Sequence, residues 1–198
     1  MPVFSSPLSP GFWPAAAREV SQLRKLVFAA LMIAAAIALG LFRIPVSEGL
    51  NLSVSYVARA LCAAVCGPVL GMLCGVAEDI LGWVVHPGGA FFPGYTLNTV
   101  LAMLAYSLCL YRQKITLWRV VLAKLVTNYP ISVGLGCLWS SILYGKAYMV
   151  YLPVSLLKNT LYLPFQVLLL YMTLSALAPA LQQSGLLAPG TEPRRFDA

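Results

Sequence analysis

Long apolar stretches alternate with short polar connections along most of the chain. A helix that crosses a bilayer needs about 20 predominantly apolar residues, and the pattern predicts six helices, the second of them short. They cover 26–42, 54–66, 69–85, 95–111, 117–144 and 153–177. The pattern therefore predicts an all-α membrane protein, built as a single bundle of about six transmembrane helices.

Glycine and proline mark the places where these helices break. The pair Gly67-Pro68 turns the chain sharply between the second and third helices, because proline cannot continue a preceding helix. Segment 43–53, interrupted by Pro45, is predicted to be a long loop of the kind that often covers a site. Pro130 removes a backbone donor inside the fifth helix and predicts a kink there.

Composition and charge agree with a membrane protein. Of the 198 residues, 60% are hydrophobic and 10% are charged, and the mean hydropathy is +0.83. The net charge of +7 indicates the excess of Lys and Arg typical of cytoplasmic connections, rather than binding to nucleic acid. The cations predicted to lie on one side are Arg18, Arg24, Lys25, Arg112, Lys114, Arg119, Arg194 and Arg195. Both termini are therefore predicted to be cytoplasmic.

The apolar pattern divides the chain into one domain and two tails. Residues 25–178 are predicted to form the transmembrane domain. Residues 1–24 are predicted to be a loose cytoplasmic tail that becomes helical near Ala15, and 179–198 a polar cytoplasmic tail. Lys124, in the inner part of the fifth helix, is predicted to reach back to the cytoplasmic surface.

Several chemistries are disfavoured by the sequence. It has no GxxxxGK[ST] phosphate loop, so it cannot energise transport by that route. A single histidine and the absence of HExxH and GxSxG argue against a zinc protease or a hydrolase. The five cysteines lie in apolar runs, where a free thiol behaves as a small hydrophobe. We therefore expect a protein that is not an enzyme and that has no cofactor, no metal site and no disulfide framework.

Residues 75–98, GVAEDILGWVVHPGGAFFPGYTLN, depart from the apolar pattern. The adjacent acids Glu78 and Asp79 lie at predicted membrane depth, where carboxylates are expensive and rarely face lipid. The Pro-Gly-Gly segment that follows predicts irregular backbone, which a membrane tolerates only where protein buries it or water reaches it. We expect two helices joined by a structured loop that lines a polar cavity.

Charged residues in this region have two interpretations each. Adjacent helix positions point about 100° apart, so we expect one acid to face the cavity and the other to face a partner such as Arg59. For these acids, both ion pairing and contact with a ligand stay open as interpretations. Arg59 and Lys158, with Asn159 and Tyr162 beside Lys158, lie toward the outer end. They either reach the outer interface or capture an anionic ligand group by charge-assisted hydrogen bonds.

Aromatic residues also cluster around the central loop, namely Trp83, Phe91, Phe92 and Tyr95. They form either an interfacial belt or a wall that stacks against a flat ring. His86 is expected to be a polar residue of the loop. On the first helix, Ala30, Ala34 and Ala38 stack on one face. Small residues let another helix approach closely, either within the same bundle or from a separate membrane subunit.

The run GVAEDILGWVVHPGGAFFPGYTLN resembles part of the S components, the substrate-binding subunits of energy-coupling factor (ECF) vitamin transporters, and looks most like the folate type. The segment LLKNTLYLPFQVLLLYMTL is similar to the sixth helix of that family. The alanine stripe is similar to the face with which S components contact the transmembrane coupling subunit. The resemblance covers about 25–178. Glu78 beside Asp79 departs from the family pattern, in which a small or neutral neighbour is expected.

The resemblance implies a multi-pass subunit of the cell membrane that captures folate from outside and delivers it by association with a coupling subunit and two ATP-binding subunits. Alternatives are another vitamin, such as pantothenate or riboflavin, and a non-transport membrane protein, either an intramembrane enzyme or a structural protein. The residues implied to bind the vitamin are Arg59, Asp79, Trp83, Phe91, Phe92, Tyr95, Asn98, Lys158, Asn159 and Tyr162. The residues implied to bind the coupling subunit are Ala30, Ala34 and Ala38.

Overall fold

The computed structural model describes residues 11–42, 44–47, 50–87, 91–145, 147–188 and 191. Its helices are α1 (Phe12–Glu19), α2 (Leu23–Leu41), α3 (Tyr56–Val85), α4 (Pro93–Leu110), α5 (Leu117–Val126), α6 (Gly136–Tyr144) and α7 (Tyr148–Gln183). A π-helical segment, Thr127–Leu135, joins α5 to α6, and strands β1 (Ile44–Ser47) and β2 (Leu50–Leu52) lie between α2 and α3. Some residues that matter for the sequence predictions lie outside the described residues, namely Arg43, Gly88-Gly89, Lys146, Arg194 and Arg195.

Helix α3 folds back on itself at Gly67, as the Gly-Pro pair predicted. Gly67 has φ 75° and ψ −178°, a conformation that only glycine adopts readily, and Pro68 begins the second half with a φ suited to a helix start. Arg59 and Glu78, 19 residues apart, are hydrogen bonded. A straight helix would separate their Cα atoms by about 28 Å. The two halves of α3 therefore lie side by side.

The core is built around the first half of α3. Its small residues Ala60, Ala63 and Cys66 have no exposed surface, and α3 makes its most extensive contacts with α4 and α2. Small side chains let helix backbones approach closely where apolar transfer from water cannot drive association. Ser107 of α4 marks this close approach, since its hydroxyl donates to the carbonyl oxygen of Ala63 at 3.3 Å.

The predicted kink at Pro130 is a π-helical segment over Thr127–Leu135. Proline lacks a backbone N–H and cannot make the usual helical hydrogen bond, and a π-helix accommodates that loss by a wider turn. Asn128 and Ile131 of this segment are buried, and the Asn128 Nδ2 donates to Oε1 of Gln166 on α7 at 2.7 Å. The irregular segment thus places polar side chains inside the bundle.

Among the residues that the structure describes, four helical stretches are long and apolar enough to cross a membrane: Leu23–Leu41, Tyr56–Val85, Leu117–Tyr144 and Tyr148–Gln183. The prediction of a helical membrane protein is confirmed by these stretches, and the described strands form only a short hairpin. The number of six spans and the cytoplasmic position of the termini remain predictions. The hairpin occupies the predicted loop at 43–53, where β1 pairs antiparallel with β2 and Ile44 faces Leu52 in register.

The expected loose N-terminal segment contains helix α1, which begins at Phe12 and not near Ala15. Phe12 is fully buried and lies edge-on to the ring of Tyr111, with centroids 5.3 Å apart. Glu19, 1% exposed, forms ion pairs with both Lys25 and Arg112. Two of the predicted cytoplasmic cations are therefore buried around one carboxylate, which ties α1 to the ends of α2 and α4.

Candidate functional site

Two cavities meet inside the bundle. The larger, about 660 Å³, lies beside the loop between α3 and α4, and we name it the loop-side cavity. The smaller, about 290 Å³, lies between α3, α4, the π-helical segment and α7, and we name it the mid-bundle cavity. The residues that line both are Ser53, Ser55, Arg59, Tyr95, Asn98 and Thr99. Together they are large enough for a small organic molecule.

The side chains of the adjacent acids Glu78 and Asp79 point in different directions, as the helix geometry predicted. The Arg59 Nε donates to both carboxylate oxygens of Glu78, at 2.8 and 3.0 Å. Glu78 is 4% exposed and Arg59 29% exposed, so the pair is buried on the acid's side and open to the cavities on the cation's side. Of the two interpretations of Glu78, the structure supports ion pairing between the halves of α3.

Asp79 turns toward α4 instead. Its Oδ2 accepts a hydrogen bond from the Thr96 hydroxyl at 2.6 Å, and its Oδ1 accepts one from the Thr99 hydroxyl at 3.5 Å. A carboxylate offers about four lone-pair sites, so two threonine hydroxyls leave capacity for further donors. Since Asp79 is only half-buried and lines the loop-side cavity, a ligand with N–H groups can reach those sites.

The predicted aromatic residues form walls of the loop-side cavity. Trp83 meets Phe91 edge-on with ring centroids 5.7 Å apart, and Phe92 meets Tyr95 edge-on at 5.9 Å. Phe92 also packs against Trp139 of α6, at 5.7 Å. Such rings supply flat apolar surface, and edge-on packing fixes their orientation. The four predicted aromatic residues all line the loop-side cavity.

The mid-bundle cavity holds the remaining predicted residues. Lys158, Asn159 and Tyr162 of α7 line it, together with Asn98 of α4. The amide nitrogen of Asn159 donates to the backbone oxygen of Ser155 at 2.9 Å, which fixes the amide against its own helix. All ten residues implied to bind a vitamin therefore line one or both of the connected cavities.

A protein-family model described as "ECF transporter, substrate-specific component" matches residues 24–174. The chain belongs to this family. Two relatives of this S component are the folate transporter FolT of Clostridium novyi, 26% identical over 77% of this chain and 88% of that protein, and FolT of Leuconostoc mesenteroides, 29% identical over 64% and 71%. A crystal structure of FolT bound with folic acid superposes with a TM-score of 0.71 at 26% identity, covering 75% of this chain and 91% of that one.

Sequence reasoning placed Lys124 of this S component wrongly. Its side chain is 2% exposed and does not reach back to the predicted cytoplasmic surface. Its Nζ lies 4.0 Å from the centroid of the Tyr56 ring and donates to the Tyr106 hydroxyl at 3.3 Å. Lys124, Tyr56 and Tyr106 all line the mid-bundle cavity, so Lys124 is a cavity residue.

Three further cavity residues, and a tryptophan that contacts a cavity residue, were not identified from the sequence. Thr127, Asn128 and Gln166 line the mid-bundle cavity, and the Trp139 Nε1 donates to Oδ1 of Asn98 at 3.0 Å. Polar residues inside an apolar run were a signal for three of them, because such residues face the interior of a bundle. Trp139 carried no comparable signal, since an aromatic residue in an apolar helix is commonplace.

His86 and the thiols differ in their surroundings. His86 is exposed and lines the loop-side cavity. Within the described part of the chain, no three His, Cys, Asp or Glu side chains are grouped to hold a metal ion. The cysteines Cys62 and Cys66 lie with their sulfurs 3.9 Å apart in the core, as packed thiols.

The alanine stripe of this S component lies on the outward side of α2. Ala30, Ala34 and Ala38 are exposed, whereas Ala29 and Ala36 are 3% and 2% exposed. The interpretation that the stripe packs within the same bundle is therefore not what the structure shows. The stripe is a flat face of small side chains that another helix can approach.

Proposed function

We propose that this S component captures folate and that the connected cavities are its binding site. The observation that carries the proposal is the arrangement of Asp79, the aromatic walls and buried cations around one continuous space. The likeness to two proteins named as folate transporters and to a FolT structure with folic acid supports the same substrate.

Folate has three chemical parts that these residues complement. Its flat pterin carries amino and ring N–H donors, for which the Asp79 carboxylate is an acceptor. Its rings offer faces to the walls formed by Trp83, Phe91, Phe92 and Tyr95. Its glutamate carboxylates match the cations of the cavities, since charge-assisted hydrogen bonds are stronger than neutral ones. The amides of Asn98 and Asn159 supply further donors and acceptors.

Delivery requires partners, because the chain has no phosphate-binding loop of its own. We propose that the exposed stripe of Ala30, Ala34 and Ala38 docks against a transmembrane coupling subunit, which in turn engages two ATP-binding subunits. Both termini of the chain then face the cytoplasm, in a multi-pass protein of the cell membrane. The small side chains support this role because they allow close contact between helices within lipid.

Tryptophan fluorescence tests the substrate. Folate added to the purified chain in detergent is expected to quench emission from Trp83, which lines the loop-side cavity, and from Trp139, which packs against the cavity residue Phe92. Trp118, 71% exposed on α5, provides the matched control. Trp118→Phe should preserve the saturable quenching, and Trp83→Phe should reduce it. Tight binding of pantothenate or riboflavin in place of folate would overturn the substrate while leaving the S-component role intact.

A further inference from the structure

The buried ammonium of Lys124 carries a further inference. Its nearest described partners are the Tyr56 ring at 4.0 Å and the Tyr106 hydroxyl at 3.3 Å. A ring face and one hydroxyl stabilise an ammonium group only in part, and a lysine ammonium has three hydrogens to donate. The group lies at the wall of an open space and not in a filled core.

No carboxylate forms an ion pair with Lys124 in the described ranges. Glu19 pairs with Lys25 and Arg112 near α1, and Glu78 pairs with Arg59. A charge taken out of water without a counter-ion is expensive, and buried charges are therefore usually paired. The mid-bundle cavity leaves room for an anion beside Lys124 that the protein itself does not supply.

Charges of opposite sign are separated between the two cavities. The residues that line the mid-bundle cavity include Arg59, Lys124 and Lys158 and, among those described, no Asp or Glu. Both Glu78 and Asp79 line the loop-side cavity. Because Arg59 is already neutralised by Glu78, Lys124 is a cation of the mid-bundle side that no described carboxylate neutralises. An elongated ligand with one anionic end is therefore oriented by the field of the protein.

We propose that Lys124 binds a carboxylate of the ligand, which orients the ligand with its anionic end in the mid-bundle cavity. This rests on the proposed function. For folate, the glutamate part lies beside Lys124, and the pterin lies among the aromatic walls near Asp79. The Tyr56 ring and the Tyr106 hydroxyl then hold the ammonium in place for the carboxylate. Lys124 is thus a specificity-determining residue for an acidic vitamin.

The test is a cycle of protein and ligand changes. Affinity is measured by isothermal titration for folate and for 6-hydroxymethylpterin, which lacks the benzoylglutamate part, with the unmodified protein and with Lys124→Met. The variant is expected to bind folate about 10- to 100-fold more weakly, the range for a lost charge-assisted hydrogen bond, and to bind the pterin within about twofold of the unmodified protein. Lys114→Met, at an exposed cation, should change neither affinity.

Each other outcome has a defined meaning. Equal weakening for folate and the pterin, or no weakening for either, would overturn the assignment of the carboxylate to Lys124. Failure of the unmodified protein to bind folate would instead overturn the proposed function. Retained pterin binding reports that the variant is folded. Should Lys124→Met not fold, Lys124→Gln replaces it. Folate dimethyl ester, a neutral analogue, should then bind the unmodified protein more weakly than folate does, by the factor by which the variant weakens folate binding.

Discussion

The ion pair between Arg59 and Glu78 permits a test that separates support of the fold from contact with the ligand. The pair joins the two halves of α3 through hydrogen bonds of 2.8 and 3.0 Å. Glu78→Met leaves the guanidinium without its carboxylate, and Arg59→Met leaves a carboxylate that is 4% exposed. The double variant Arg59→Met/Glu78→Met replaces both charges by apolar side chains of similar length.

The size of each effect follows from the burial of the charge that remains. Removing one partner of a buried pair costs about 3–5 kcal/mol. Arg59 is 29% exposed, so water screens it and we expect Glu78→Met to destabilise by about 2–3 kcal/mol. Arg59→Met leaves the more buried charge and should reach the upper part of the range. The double variant should stay within about 1 kcal/mol of the unmodified protein, since apolar replacement of a buried pair is often neutral.

Thermal unfolding in detergent measures these differences. A loss of about 2–3 kcal/mol corresponds to a fall in midpoint of about 5–10 °C for a chain of this size. The double variant is expected to recover the midpoint but to bind folate about tenfold more weakly, because Arg59 lines both cavities and its guanidinium carries N–H donors besides Nε. A double variant as unstable as Glu78→Met alone would refute the role of the pair. Full recovery of folate affinity would show that Arg59 only supports the fold.

Three further features are tested by substitution, the first of them with a second glycine for comparison. Gly67→Ala should lose about 2–4 kcal/mol, since its φ is 75° and the new Cβ would lie 2.9 Å from the Tyr111 ring. Gly145→Ala, at φ 68° with no atom within 4 Å, should lose about 1 kcal/mol; equal unfolding midpoints would contradict the clash. Ala34→Trp should spare folate binding and abolish uptake in cells that make the coupling proteins. Persistent uptake would show that α2 is not the docking face. Asp79→Asn should weaken folate binding about tenfold; unchanged affinity would exclude ligand contact.

The candidate site was largely predictable because its residues are conspicuous in an apolar sequence. Charged and amide side chains within spans are expensive to expose to lipid, so their positions indicated an interior cavity. The helix period then separated Glu78 from Asp79. The sharp turn at Gly67-Pro68 was also readable, since it depends on the local backbone requirements of two residues.

Lys124 shows where local rules failed. The Cα–Cβ bond of a helical residue tilts toward the helix N-terminus, which for α5 is the predicted cytoplasmic end, so the local geometry favoured the surface. The structure instead turns the side chain toward Tyr56 and Tyr106. Those partners come from α3 and α4, and their proximity depends on how the helices pack. The sequence of α5 alone contains no information on that packing.

The early start of helix α1 and its burial against the bundle were missed for a similar reason. Its anchor is Glu19, which contacts Arg112 across 93 residues of sequence. A short Pro- and Ser-rich beginning predicts little structure by itself, because an isolated helix of eight residues is unstable in water. Burial of Phe12 and the two ion pairs of Glu19 stabilise it only after α2 and α4 have met. Such long-range pairing cannot be read from composition or period.

The cavities lie where the helices are least regular. An α-helix satisfies its own backbone polar groups, so tightly packed straight spans leave neither space nor polar groups for a ligand. Here α3 begins only at Tyr56, and the π-helical segment carries Asn128 into the bundle. The acids come from the second half of α3, whereas Lys124 and Lys158 come from α5 and α7. Since the two acids and these two lysines are carried by different helices, the packing of the bundle sets the direction that we propose for an acidic ligand.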